Sequence, residues 1–160
     1  MSNQLLFSVY RSSWLDPLTY IRMFGHIAGH ANWEHFFGNM TLLLVIGPLL
    51  EEKYGSLNLL FVILFTAFIT GVIHCIFFPH IRLLGASGVV FALILLSAFT
   101  NVKDESIPIT LILVAIIYMG QQVYDGIFLQ DNISNLTHII GGLTGTGLGF
   151  VMYKAKMNRY

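Results

Sequence analysis

The chain has 160 residues; 56% are hydrophobic, only 10% are charged, and 8 basic side chains balance 8 acidic ones to a formal net charge of zero. Soluble chains carry about 25% charged residues, so these charges are too few to coat a soluble globule, and without a basic run nucleic acid is excluded as the default partner. A single cysteine, Cys75, excludes a disulfide framework and any cysteine-rich zinc site.

The N-terminal stretch MSNQLLFSVYRSS has neither a long apolar core nor a small-residue cleavage site, so it does not read as a signal peptide. Beyond it the charges leave long gaps. None falls between Glu34 and Glu51, Lys53 and Arg82, Arg82 and Lys103, Glu105 and Asp125, or Asp131 and Lys154. A hydrocarbon core of roughly 30 Å needs about 20 apolar residues at 1.5 Å per residue. The five windows therefore predict an all-α polytopic membrane protein with spans at about 35–50, 57–78, 85–102, 107–124 and 136–153. The second ends at Pro79, which cannot comfortably continue a helix. The fourth carries Pro108 in its first turn, where helix starts allow it. Residues 1–34 form an extracytoplasmic segment and residues 35–160 the transmembrane bundle.

Orientation follows from the Lys and Arg count on alternate sides. Lys53, Lys103, Lys154, Lys156 and Arg159 lie after the first, third and fifth spans, against Arg11, Arg22 and Arg82 on the other side. The bias places the C-terminus in the cytoplasm. The expected setting is a bacterial plasma membrane, with the lipid bilayer as solvent.

Polar groups at membrane depth are costly and default to functional candidates. His35 and Asn39, Ser87, and His138 all lie in the first turns of the first, third and fifth spans. Those spans run in the same direction, so three polar clusters distant in sequence meet at one level near the outer face. Each has a plainer reading. His35 and Asn39, four apart on one helix face, can act as interhelical packing glue. His30, beside Gly25 and Gly29, can order a loop. Gly85-Ala86-Ser87-Gly88 can be a small-residue packing surface. His138 heads a stripe through Gly141, Gly145 and Gly149, a pattern that also serves helix packing alone.

The chemistry gives a reason to join them. A Ser hydroxyl is a weak nucleophile until a neighbouring base takes its proton. The glycine stripe lets a backbone approach closely enough to bring Ser87 to His138, and Phe91, four after Ser87, can pack on the imidazole. No Asp or Glu lies inside the five windows, so a Ser–His dyad is the economical form. Acyl transfer also needs donors for the developing oxyanion. His35, Asn39 and the Ser87 backbone N–H can supply them, the last at a helix start that favours negative charge.

At these residues the sequence resembles the rhomboid intramembrane serine proteases. The run from His30 through His35 to Asn39 resembles the family's HxxxxHxxxN signature, Gly85-Ala86-Ser87-Gly88 its GxSG, and His138, Gly141 and Gly145 its HxxGxxxG, in the family's order. The resemblance implies a rhomboid-like helical bundle with Ser87 as nucleophile and His138 as general base. It also implies an oxyanion hole of His35, Asn39 and the Ser87 amide, with His30, Gly85, Gly88, Phe91, Gly141 and Gly145 in support. Substrates would be single-pass transmembrane proteins cut near the outer face, with neither cofactor nor metal. Phe91 stands where the family commonly has Tyr, Thr137 where Ala is usual, and Tyr10-Arg11 where a Trp-Arg pair is often found. Five spans of a six-helix core are present, so the chain reads as a short form beginning inside the family's first loop. That deficit motivates the alternative of an inactive rhomboid-like module that binds transmembrane helices without cleaving them. A third possibility, metal or haem ligation by His30, His35, His74 and His138, lacks an accompanying carboxylate or cysteine set.

Overall fold

The computed structural model describes residues 5–78, 80–101, 109–114, 116, 120 and 132–157. The described part is a helical bundle. In chain order it contains α1 (Pro17–Gly25), α2 (Trp33–Tyr54), α3 (Ser56–Phe77), α4 (Ser87–Ser97), α5 (Ile109–Val114) and α6 (Asn132–Met157). Short 3-10 turns follow α1 at His26–Ala28 and α4 at Ala98–Asn101.

Local chemistry sets the helix ends. Asp16 accepts a hydrogen bond from the Leu18 amide just ahead of Pro17, an N-cap followed by proline in the first turn. Asn32 caps α2 by accepting from the His35 amide at 2.8 Å, which starts that helix at Trp33, two residues before the expected span. Gly55 separates α2 from α3 at φ +81°, a backbone conformation that favours glycine. α4 is shorter than the expected 85–102 span. Gly85 sits at φ +133° and Ala86 lies outside the helix, so Ser87 is the first helical residue. Most of the fourth expected span, 107–124, lies outside the described residues.

The centre of the bundle is α4. Gly88–Val90 and Ala92–Leu96 are all buried, as expected of a helix that is apolar all round. Leu50 of α2, Leu59, Val62 and Ala67 of α3, and Val89, Leu93 and Leu96 of α4 form the main core cluster. α6 makes its most extensive packing against α4. Bulky apolar side chains cover the outside: Leu44 and Val45 on α2, Leu57, Phe61 and Phe65 on α3, and Phe150 and Val151 on α6 are exposed. A buried core under an apolar exterior suits lipid as solvent.

Among the described residues, one helix, α3, is long and apolar enough by length and composition alone to cross a membrane. The other expected spans fall short for local reasons. α2 has Glu34 in its first turn and Glu51, Glu52 and Lys53 in its last. α4 has 11 helical residues, and α6 is diluted by glycine, threonine and asparagine.

The segment before α2 is packed as tightly as the helices. Val9 and Leu83 exchange two backbone hydrogen bonds of 2.9 Å, and both join Met23 and Cys75 in a separate apolar cluster. Arg22 is buried, donating from Nε to the Leu5 carbonyl at 2.8 Å and pairing with Asp16 at 3.4 Å. His26 is 1% exposed and donates from Nε2 to the Ala67 carbonyl of α3 at 3.1 Å. Burial, then the nearby His74, push its pKa down to about 3. An imidazole neutral in the fold but titrating near 6.5 when unfolded takes up a proton on unfolding. Its stabilisation is therefore fully present above pH 6.5 and lost as pH falls toward 3. Between pH 7 and pH 5 the fold should lose on the order of 2 kcal/mol from this group. Thermal unfolding in detergent at the two pH values should show the drop, and His26→Gln should flatten it.

Candidate active site

α4 and α6 meet through glycine. A Cβ on Gly141 would come within 2.0 Å of the Gly88 carbonyl oxygen, and one on Gly145 equally close to the Ala92 carbonyl oxygen. The backbones therefore touch where the stripe of small residues on α6 crosses α4, as its spacing predicts. At Gly149 the neighbour is the Phe99 ring instead. Thr137 also packs here, its Cγ2 3.1 Å from where a Cβ on Gly88 would stand.

The crossing determines what His138 faces. α6 starts at Asn132, four residues before the expected span, so His138 lies in its second turn rather than its first. With Gly141 one turn further on and Gly88 directly after Ser87, their contact sets the start of α4 beside that turn. The His138 ring stacks on Phe91 with 4.4 Å between centroids and 5° between planes. Phe91 is one turn along α4 from Ser87 on the same face. Offset stacking of this kind fixes an imidazole's plane.

His35 approaches from α2. A Cβ on Gly85 would come within 2.5 Å of His35 Cε1 and 2.9 Å of Nε2. The ring therefore lies over the Gly85 backbone, two residues before Ser87, in a place that only glycine leaves open. Gly85 is held there by donating its amide to the His26 carbonyl at 2.9 Å. The His30 ring meets His35 edge-on at 5.2 Å and Phe36 at the same distance. Burial, then the adjacent His35, lower the pKa of His30, opposed by a hydrogen bond with the Ala28 backbone. Lowering favours the neutral ring at neutral pH.

Asn39, one turn after His35, is 6% exposed, and its Nδ2 has no hydrogen-bond partner among the described residues. A buried amide donor without a partner costs free energy, which makes this one a candidate for a ligand or transition-state contact. The first amides of α4, including that of Ser87, have no side-chain cap. Helix geometry leaves them without intrahelical acceptors, beside the positive end of the dipole.

The fold thus gathers the three sequence motifs at the start of α4. His30, His35 and Asn39 come with α2, Gly85, Ser87, Gly88 and Phe91 with the start of α4, and His138, Gly141 and Gly145 with α6. His74 stands apart, donating from Nε2 to the Ile81 carbonyl at 3.0 Å. Among the described residues no three His, Cys, Asp or Glu side chains are grouped to hold a metal ion. From the sequence Arg22 served only in the loop-charge count and His26 had no role; a basic side chain and an imidazole four residues apart are too little to foretell burial.

Comparison with known proteins gives a consistent picture. Residues 17–155 match the family described as the Rhomboid domain. The chain is similar to rhomboid-related protein 2 of Mus musculus, with 29% identity over 159 aligned positions covering 86% of this chain and 52% of that protein. It is similar to the chloroplastic rhomboid-like protein 11 of Arabidopsis thaliana, at 27% identity covering 78% of this chain and 50% of that one. A further Arabidopsis thaliana protein, RHOMBOID-like protein 4, is 31% identical, covering 77% of this chain and 32% of its own length. The chain spans about half the length, or less, of these relatives.

Proposed function

The chain belongs to the rhomboid family of integral membrane proteins, and from that premise we propose that it is a serine endopeptidase that cleaves single-pass membrane proteins within or beside the bilayer. The observation that carries the reading is the crossing of α4 and α6 at Gly88 and Gly141, with His138 stacked on Phe91 one turn from Ser87. In this reading Ser87 Oγ attacks the scissile carbonyl carbon while His138 accepts the hydroxyl proton. The carbonyl oxygen becomes an oxyanion, stabilised by the Asn39 amide, the His35 ring N–H and the Ser87 backbone N–H. His138 then delivers its proton to the departing amine nitrogen, the C–N bond breaks, and an acyl ester stays on Ser87. Water attacks that ester, again giving its proton to His138, which returns it to Ser87 Oγ as the acid leaves.

The charge bias of the loops supports a cytoplasmic C-terminus and a site toward the outer face, where a substrate helix that unwinds meets water. Purified protein reconstituted with a single-span reporter tests the reading. Two fragments whose new ends map near the outer end of the reporter's helix are the expected result. Stable capture of an intact reporter, with no fragments, would instead identify a module that binds transmembrane helices without cutting them.

A further inference from the structure

Three arginines, Arg11, Arg22 and Arg82, are the only Lys or Arg residues before residue 103 other than Lys53, and the fold sets two of them, Arg22 and Arg82, on one ring. Val9 and Leu83 pair in antiparallel register, which sets Tyr10 opposite Arg82 with Arg11 next along the chain. The Arg82 guanidinium lies 5.0 Å from the Tyr10 ring centroid and the Arg22 guanidinium 4.6 Å from the same centroid. Cation–π attraction holds each in place, yet two like charges on one ring repel.

The available counter-charge does not balance them. Asp16 pairs with Arg22 at 3.4 Å, and among the described residues it is the one carboxylate in an ion pair with any arginine. Arg22 is buried and spent on Asp16 and the Leu5 carbonyl. Arg11 and Arg82 are exposed and neither is in an ion pair among the described residues; His80, also exposed, lies two residues from Arg82.

The surroundings select the anion. The cluster lies where α3 ends, beside exposed Ile76, Phe77 and Ile81, with exposed Leu5, Leu6 and Phe7 on the other segment. In a membrane protein such a rim places guanidinium groups above acyl chains, at headgroup depth. Guanidinium matches phosphate oxygens two at a time.

We propose that Arg82, braced on the Tyr10 ring beside Arg22, and the exposed Arg11 that follows Tyr10 in the chain bind the phosphate of an anionic phospholipid headgroup. The bound phosphate bridges the segment before α1 to residues 80–86 that lead into Ser87, so it clamps the same two segments that the Val9–Leu83 bonds join. This holds whether or not the chain is a protease.

The test uses the full chain, delipidated in neutral detergent, with native mass spectrometry and thermal unfolding as readouts. Dioleoyl phosphatidylglycerol, dioleoyl phosphatidylcholine and inorganic phosphate are added separately. The expected result is preferential retention of phosphatidylglycerol, a rise in its unfolding midpoint, and weakening of both by added salt. Arg82→Gln and Arg11→Gln should each reduce retention about fivefold, Arg82→Lys should keep most of it, and Lys154→Gln on α6 should change nothing. Equal retention of the two lipids, or undiminished retention in the doubly substituted chain, would overturn the proposal. A midpoint rise from inorganic phosphate equal to that from phosphatidylglycerol would assign the site to a free anion and overturn the lipid assignment.

Discussion

Ser87→Ala and His138→Ala should each abolish reporter cleavage, lowering the rate at least about 10⁴-fold, or roughly 5 kcal/mol of transition-state stabilisation. Combining them should cost little more than either alone, because nucleophile and base act as one unit. The folds should survive. Ser87 is half-buried at the start of α4, and no hydrogen bond of its side chain holds the described structure together. His138→Ala removes the ring stacked on Phe91, so its unfolding midpoint should drop more than that of Ser87→Ala. Cleavage of the reporter by both variants, checked by fragment mass, would remove these residues from the chemistry.

The second large effect belongs to a glycine. Gly141→Ala adds a methyl group within 2.0 Å of the Gly88 carbonyl oxygen and 2.7 Å of its carbon, both backbone atoms that cannot swing aside. Overpacking of this kind costs about 1–3 kcal/mol, paid by separating α4 from α6. Because Ser87 adjoins Gly88 and His138 lies one turn from Gly141, that separation falls between the proposed nucleophile and its base. Activity should fall about 100-fold or more, since a shift near 1 Å can cost that much, with a clear drop in the unfolding midpoint. Gly147, on the same helix, has nothing within 4 Å of the corresponding position. Gly147→Ala should leave both readouts unchanged, so the pair separates a packing clash from a general change in the helix. Equal loss in the two variants would show that the contact has no special role.

Much of this arrangement was legible in the residues. Charge-free windows located α3 to within a residue at each end, because a span in lipid must be continuously apolar. The spacing from His138 to Gly141 and Gly145 gave the contact face of α6, since helical periodicity fixes which residues share a stripe. Phe91 against His138 followed from the same periodicity applied to α4. Other features lay beyond such rules. The start of α4 depends on Gly85 at φ +133° with the His35 ring above it, a contact between residues fifty positions apart that no local pattern encodes. The packing of residues 5–30 was hidden for a related reason. Val9 pairs with Leu83, Arg22 with the Leu5 carbonyl and His26 with the Ala67 carbonyl, and in each bond at least one partner lies in a segment whose sequence looks like ordinary loop. The same long-range pairing sets Arg82 beside Arg22 on the Tyr10 ring, whereas the resemblance had pointed to Arg11 alone as the notable arginine of this segment.

The stacking of His138 and the position of the Asn39 amide bear on one question, whether Ser87 is an activated nucleophile. Treatment of the purified protein with a fluorophosphonate, followed by peptide mapping, addresses it without knowledge of the substrate. The account predicts a single stoichiometric adduct on Ser87 that is lost in His138→Ala and weakened in Asn39→Ala. An unlabelled Ser87 in folded protein, or labelling that persists undiminished without His138, would contradict it.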